Sequence, residues 1–373
     1  MFWEGSNIKE CRRVLVIPNY TFGEDYNKDS FVDVLSSQIR ALGDDYYWIV
    51  PVPEPISRFN LPNVKPVECS ISGNIIWMRS NFPTDIIKLL KEDEYDIVYS
   101  HLPDWHISRF TKKPIIGYSH WWEMKECNGL SWLNRSRNLI HEVGNVLDYK
   151  VCFTNTHQQK NMVIENAKEF YNDVTISKLD SIIQVMHLGV DKENIISTPS
   201  TDYDKVIVFN HRTDSYKGWN RFIKWMEKYR EKRQDWVVWA PLLDKPNKWS
   251  WVDTTKYDKQ TYYKKLSQSC VGVTPSQDHA GWSVSSTDSM MRGLPVLFQD
   301  QDCYKEIMED GLTFKNQKEL FTLLDTMLDS TDFRMEWAEK GIEGAWKLVD
   351  NGENNINQLS HYFGYQWGSS FTQ

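Results

Sequence analysis

Short apolar runs alternate with helically spaced stretches along the first half of the chain. Residues 13–18 read as a buried strand, and 31–42 places Phe31, Val34, Leu35 and Ile39 on one helix face. Strands are predicted at 47–52, 74–78, 96–100, 114–119 and 150–154, with helices at 84–91, 139–146 and 157–167, and 182–188 closes this half. A polar stretch at 197–202 follows and the alternation restarts: strands at 206–210, 236–240, 271–275 and 296–299, helices at 219–232, 262–267 and 285–292. Strands separated by helices imply parallel sheets with crossovers. The fold class expected is α/β, with two doubly wound domains joined near residue 200 and ligands held at strand ends in the cleft between them. From 335 to 363 the pattern suggests two helices interrupted at Asp350-Asn351-Gly352.

Composition narrows this little. The 373 residues carry a formal charge of −8, are 40% hydrophobic and 25% charged, and fit an ordinary folded chain of two domains. The acidic balance argues against wholesale coating of nucleic acid. No apolar run approaches the ~20 residues of a spanning helix, and the first residues lack a basic segment followed by an apolar one. These features predict a cytoplasmic protein with no membrane partner. Six scattered cysteines without a C-x-x-C pair fit reduced thiols rather than a disulfide framework or a zinc site. His101, His106, His157 and His361 have no ligand spacing and read as satisfied or surface side chains.

Two segments carry chemistry. In 208–219 (VFNHRTDSYKGW), Arg212 and Lys217 project from the loop between a strand and a helix, where they can grip a diphosphate as a fork and a point charge. Gly218 permits close backbone approach there; a solvated basic loop is the alternative. In 274–296 (TPSQDHAGWSVSSTDSMMRGLPV), a strand leads through a Gly-containing loop into a helix. The amides of Ser283 to Ser286 would face a phosphate, and Asp288, a turn further on, is placed to accept ribose hydroxyls.

Taken together, Arg-x-x-x-x-Lys-Gly, Pro-Ser, Gly-aromatic-small and an acid before Gly-x-Pro-Val resemble the donor half of the GT-B retaining glycosyltransferases, which use nucleotide sugars. The resemblance covers 205–345 well and the first half more loosely. His187-Leu188-Gly189-Val190-Asp191 stands where that group has Pro-Asn-Gly-Val-Asp, and Tyr118-Ser119-His120-Trp121 where it carries a sugar-facing histidine. It implies two Rossmann-like domains facing a central cleft: 1–200 for the acceptor, 201–345 for the nucleotide sugar, and 346–373 as a helix crossing back to the first. Arg212, Lys217, His120 and Glu123 would be catalytic. Arg212 and Lys217 would stabilise the leaving diphosphate without a metal or other cofactor, and Glu123 would orient or deprotonate the acceptor hydroxyl. Donor binding would fall to Gly23, Gly189, Asp278, His279, Gly281, Trp282, Ser283, Val284, Ser285 and Asp288. The group's pair of glutamates maps onto Ala280 and Asp288, so the donor-sugar contact at 280 is vacant, with Asp278 or His279 to replace it. A pentose or a modified hexose is then as admissible as glucose, and UDP is the expected carrier.

The run from Arg212 to Trp219 further resembles the phage α-glucosyltransferases that modify hydroxymethylated cytosine in DNA. Residues 245–265 hold six Lys against two Asp among aromatic residues, a pattern able to follow a phosphate backbone and stack an extruded base. Trp121, Trp122, Lys248, Trp249 and Trp251 are the expected acceptor contacts, and double-stranded DNA with modified bases the expected partner. Transfer to a glycan or lipid-linked saccharide is the alternative, although the acidic helix at 84–94 lacks the basic face of a membrane-docking element. A scaffold that has lost catalysis is a third reading, resting on Ala280 alone.

Overall fold

The structure is a computed structural model. It describes residues 11–364 except 21–25, 27–29, 70–83, 93, 104, 121, 123–140, 189, 191, 214–216, 244–247, 277–280 and 310. Among the sequence expectations, Gly23, Trp121, Glu123, Gly189, Asp278, His279, Ala280 and the strand at 74–78 lie outside the described residues. The chain forms two compact units: residues 1–155, 160–187 and 353–373 make unit 1, and residues 156–159 and 188–352 make unit 2.

Unit 1 runs β1 (Arg12–Ile17), α1 (Ser30–Leu42), β2 (Tyr46–Val52), β3 (Val64–Glu68), α2 (Thr84–Glu92), β4 (Ile97–Ser100), β5 (Ile115–Ser119), β6 (Val151–Thr154), α3 (His157–Ala167), α4 (Asp173–Ile182) and β7 (Ile183–Val185). The first turn of α3 belongs to unit 2. All pairings are parallel, in the order β3-β2-β1-β4-β5-β6-β7. Strands β4, β5 and β6 are buried at every position, which is why they read as unbroken apolar runs rather than alternating ones. Helix α1 buries Val32, Leu35 and Ile39 along one face. The order reverses between β1 and β4, the place where a doubly wound sheet opens a crevice at its strand ends.

Unit 2 repeats the scheme with β8 (Asp204–Val208), α5 (Trp219–Lys232), β9 (Val237–Trp239), β10 (Val252–Asp253), α6 (Lys259–Ser267), β11 (Ser269–Thr274), α7 (Val284–Met291), β12 (Val296–Gln299), α8 (Asp302–Lys305), β13 (Thr313–Phe314) and α9 (Gln317–Asp329). Its order, β10-β9-β8-β11-β12-β13, is parallel throughout and reverses between β8 and β11. Helix α5 buries Trp219, Phe222, Ile223, Met226 and Tyr229 along one stripe. A buried apolar cluster joins that stripe to β11 and to Leu320, Leu324 and Met327 of α9.

The tail departs from expectation. Residues Thr331–Gly364 form one helix, α10, rather than two. A glycine inside a helix costs about 1 kcal/mol, yet packing on both sides of Gly352 outweighs it. Ala345 and Leu348 are buried before it, and Leu359 and Phe363 after it. Within unit 1, Phe363 packs against Tyr46, Trp48 and Tyr99, and its carbonyl accepts from the Arg12 guanidinium. Among the described residues no helix is long and apolar enough to cross a membrane.

Candidate functional site

The two chemical segments of unit 2 come together because β8 and β11 are neighbours. The loop after β8 carries Asn210, His211, Arg212 and Lys217; the loop after β11 runs from Pro275 into α7. Both leave the carboxyl ends of the strands that flank the reversal in strand order, so their residues face one crevice.

Hydrogen bonds brace the loops to each other. His211 is buried, with Nδ1 3.1 Å from Ser283 Oγ and Nε2 3.2 Å from Thr274 Oγ1. Thr274 Oγ1 lies 2.9 Å from Ser286 Oγ. Burial, and secondarily the charge of Lys217, pushes the His211 imidazole down to about 3, so it is neutral at physiological pH. Asn210 Nδ2 donates to the Ser285 carbonyl at 2.8 Å and to Tyr262 Oη at 2.9 Å. Gly218 has φ +76°, and a Cβ there would stand 2.8 Å from the Pro275 Cβ. Its close approach is therefore made to the Pro-Ser corner of the other loop, where only glycine suits both the left-handed backbone and the space.

Helix α7 opens with Ser283 as N-cap, but the Ser283 hydroxyl does not cap it. That hydroxyl meets His211 instead, so among the described residues no side chain caps the first amides of the helix, whose dipole favours an anion. The far end closes firmly: Gly293 (φ +64°) donates to the Met290 carbonyl and Leu294 to that of Ser289, the paired bonds of a glycine stop. Arg212 is exposed and Lys217 partly buried at the mouth of this arrangement. Asp288 is partly buried one turn into α7, and Tyr262 Oη donates to its Oδ2 at 3.3 Å. Burial raises the Asp288 carboxyl to about 6, against the opposing influence of Lys259, the Tyr262 hydrogen bond and Arg292.

In unit 1, His120 follows β5 and is partly buried, its Nδ1 3.1 Å from Asn155 Nδ2. The Asn155 carbonyl lies 3.0 Å from His187 Nδ1. His101, directly after β4, is buried, its ring 4.8 Å from that of Phe31 and 4.7 Å from that of Tyr99. Among the described residues its Nε2 has no hydrogen-bond partner, so it is neither a satisfied nor a surface histidine. Burial, then the neighbouring His120, holds it down to about 3.

Several expected contacts are placed differently. Trp122 is fully buried and donates to Thr154 Oγ1, so it supports the sheet end rather than lining a cleft. Trp282 is buried against Phe298 and Tyr304 and donates to Thr287 Oγ1, which leaves only its backbone for a donor. Trp249 and Trp251 are partly buried against the unit 2 core, and Trp249 Nε1 donates to Glu227. Lys248 lies over the Trp249 ring. Each tryptophan has enough apolar area that core packing claims it. Gly281, Ser283, Val284 and Ser285 sit at the opening of α7 as the spacing implied. Asn210, His211 and Tyr262 were not singled out from sequence; only the adjacency of His211 to Arg212 hinted at them.

No protein-family model matches this chain, and no curated protein matches it in sequence. Solved structures do. HepE of Anabaena in complex with UDP and glucose superposes with a TM-score of 0.68 at 12% identity, over 96% of this chain and 100% of that one. Sucrose-phosphate synthase from Thermosynechococcus elongatus gives 0.70 at 11% identity, over 95% and 98%. The E. coli trehalose-6-phosphate protein bound with UDP-2-fluoro glucose gives 0.61 at 12%, over 95% and 99%. The fold is that of the GT-B glycosyltransferases, two parallel-sheet α/β units with flanking helices.

Proposed function

We propose that this chain is a retaining glycosyltransferase that moves a sugar from a UDP-linked hexose or pentose to an acceptor hydroxyl. One observation carries the reading. Arg212, Lys217, the uncapped start of α7 and Asp288 are gathered at the ends of β8 and β11, on a fold it has in common with structures solved with UDP and UDP-sugar. Arg212 and Lys217 meet the diphosphate as the bond to the anomeric carbon breaks, the α7 amides add a fixed dipole, and Asp288 takes the ribose. Charge developing on a leaving group is where preorganised donors contribute most to rate. In unit 1, His120 is assigned to the transferred sugar and Glu123 to the acceptor hydroxyl. No metal is needed in this scheme, because side-chain cations and helix amides meet the charge.

For the acceptor we propose 5-hydroxymethylated cytosine in DNA, a finer reading supported by the resemblance of the 212–219 run. The aromatic residues Trp249 and Trp251 add no support to it, since they are engaged in packing. The test is a donor-by-acceptor assay with mass readout, in which UDP-, GDP- and ADP-sugars meet modified DNA, plain DNA and glycan acceptors. A sugar-sized mass gain on modified DNA alone is the expected result. A gain on glycans alone replaces the acceptor and keeps the transferase. Absence of both transfer and donor hydrolysis overturns the reading in favour of a scaffold.

A further inference from the structure

Asp288 is expected to bind a hydroxyl, yet a carboxylate drawn into a protein tends to take up a proton and become a poorer acceptor. The surroundings of Asp288 address this. Among the described residues its one hydrogen bond comes from Tyr262, on α6, to Oδ2; Oδ1 has no protein partner. The Tyr262 hydroxyl does not rotate at will. Its oxygen accepts from Asn210 Nδ2 at 2.9 Å, which directs its own proton toward the carboxylate. The ring is held 5.7 Å from those of Trp239 and Tyr263. Asn210 in turn is tied to α7 through the Ser285 carbonyl and Ser289 Oγ. Three elements far apart in sequence thus end on one carboxylate oxygen and leave the other open.

We infer that Tyr262, aimed by Asn210, is a positioning residue that keeps Asp288 ionised and oriented so that its open oxygen accepts a ribose hydroxyl of the donor. The inference rests on the nucleotide-sugar reading above and deepens it. Among the described residues, Lys259 from α6 and Arg292, the C-cap of α7, are the charged groups that act on Asp288, and both favour its ionised form, as the Tyr262 bond does. His211 remains neutral across the range concerned.

The test is calorimetric binding of UDP-glucose, with GDP- and ADP-glucose alongside, from pH 5 to 8. The diphosphate of these probes is esterified at both ends and does not titrate in that window, so a pH dependence reports the protein. Wild-type affinity is expected to fall as pH drops through about 6. Tyr262→Phe is expected to weaken binding at pH 7.5 by about tenfold, the size of one hydrogen bond to a charged group, and to move the acid midpoint upward. Asp288→Asn should flatten the profile, and adding Tyr262→Phe to it should change nothing further, the mark of a pair acting together. Should Tyr262→Phe not fold, Asn210→Ser is expected to move the midpoint in the same direction. A uniform loss with an unmoved midpoint, or an equal loss in the Asp288→Asn background, overturns the inference while leaving the nucleotide-sugar reading intact. Failure of the wild type to bind any of the three probes overturns both.

Discussion

Each unit holds a buried, neutral histidine just beyond a strand end, and the two are wired in opposite ways. His211 in unit 2 has both ring nitrogens against hydroxyls, one at the end of β11 and one at the N-cap of α7. His101 in unit 1 is wrapped by aromatic rings, and its Nε2 has no partner among the described residues. Burial pushes both down to about 3. The same suppressed ionisation therefore serves two ends. At His211 it comes with a polar brace that fixes the opening of α7 beside Arg212 and Lys217. At His101 it is the by-product of packing.

The sharpest break between the units concerns catalysis. Arg212→Ala is expected to lower turnover by roughly 10²–10³-fold, the usual loss of one group stabilising developing charge, while thermal unfolding stays unchanged because Arg212 is exposed. An unaltered rate would remove the diphosphate assignment. Next in size, His211→Ala should destabilise the protein by ~2–4 kcal/mol in denaturant titration, since it leaves a cavity and two buried hydroxyls short of a partner. Asp288→Asn acts the other way. A carboxyl raised from 3.8 to about 6 binds its proton more readily when folded, so it weakens the free protein above pH 6. The variant should gain ~2 kcal/mol at pH 7.5 and progressively less toward pH 4.

The smallest effect is expected in unit 1. His101→Phe should lie within ~1 kcal/mol of wild type at pH 7.5, as no hydrogen bond of the ring is lost. Its signature is in acid. Both histidines have folded values below their unfolded 6.5, so the stability they hold is full above pH 6.5 and drains as pH falls toward 3. Melting temperature followed from pH 7.5 to 4 should therefore fall less steeply in His101→Phe. Identical slopes would mean that His101 takes up its proton without unfolding.

The architecture was legible where apolar runs are continuous, because parallel strands buried on both faces leave that trace. Three edge strands leave none: β3 is largely exposed and contains Pro66, and β10 and β13 are two residues each. Helices α4 and α9 carried readable signals in Asn172 and Asn316, whose side chains cap Thr175 and Glu319. Neither helix was anticipated. In the site, Arg212, Lys217 and the start of α7 followed from local order. Tyr262 did not, since it lies 26 residues from Asp288 and 52 from Asn210 and meets them only through the topology. Trp122, Trp249 and Trp251 mark the opposite limit, since sequence offers an aromatic face and only tertiary packing decides which side of the surface it occupies.

Helix α10 makes unit 1 depend on residues that lie beyond unit 2 in sequence. Unit 2 is nearly contiguous, its main stretch running from Leu188 to Gly352. Unit 1 is closed only by residues that follow that stretch: its sheet packs on Phe363, and Tyr362 accepts from Gln184. A chain cut before 353 therefore keeps every segment of unit 2 but uncovers Tyr46, Trp48 and Tyr99 in unit 1, an aromatic surface that the end of α10 otherwise occupies.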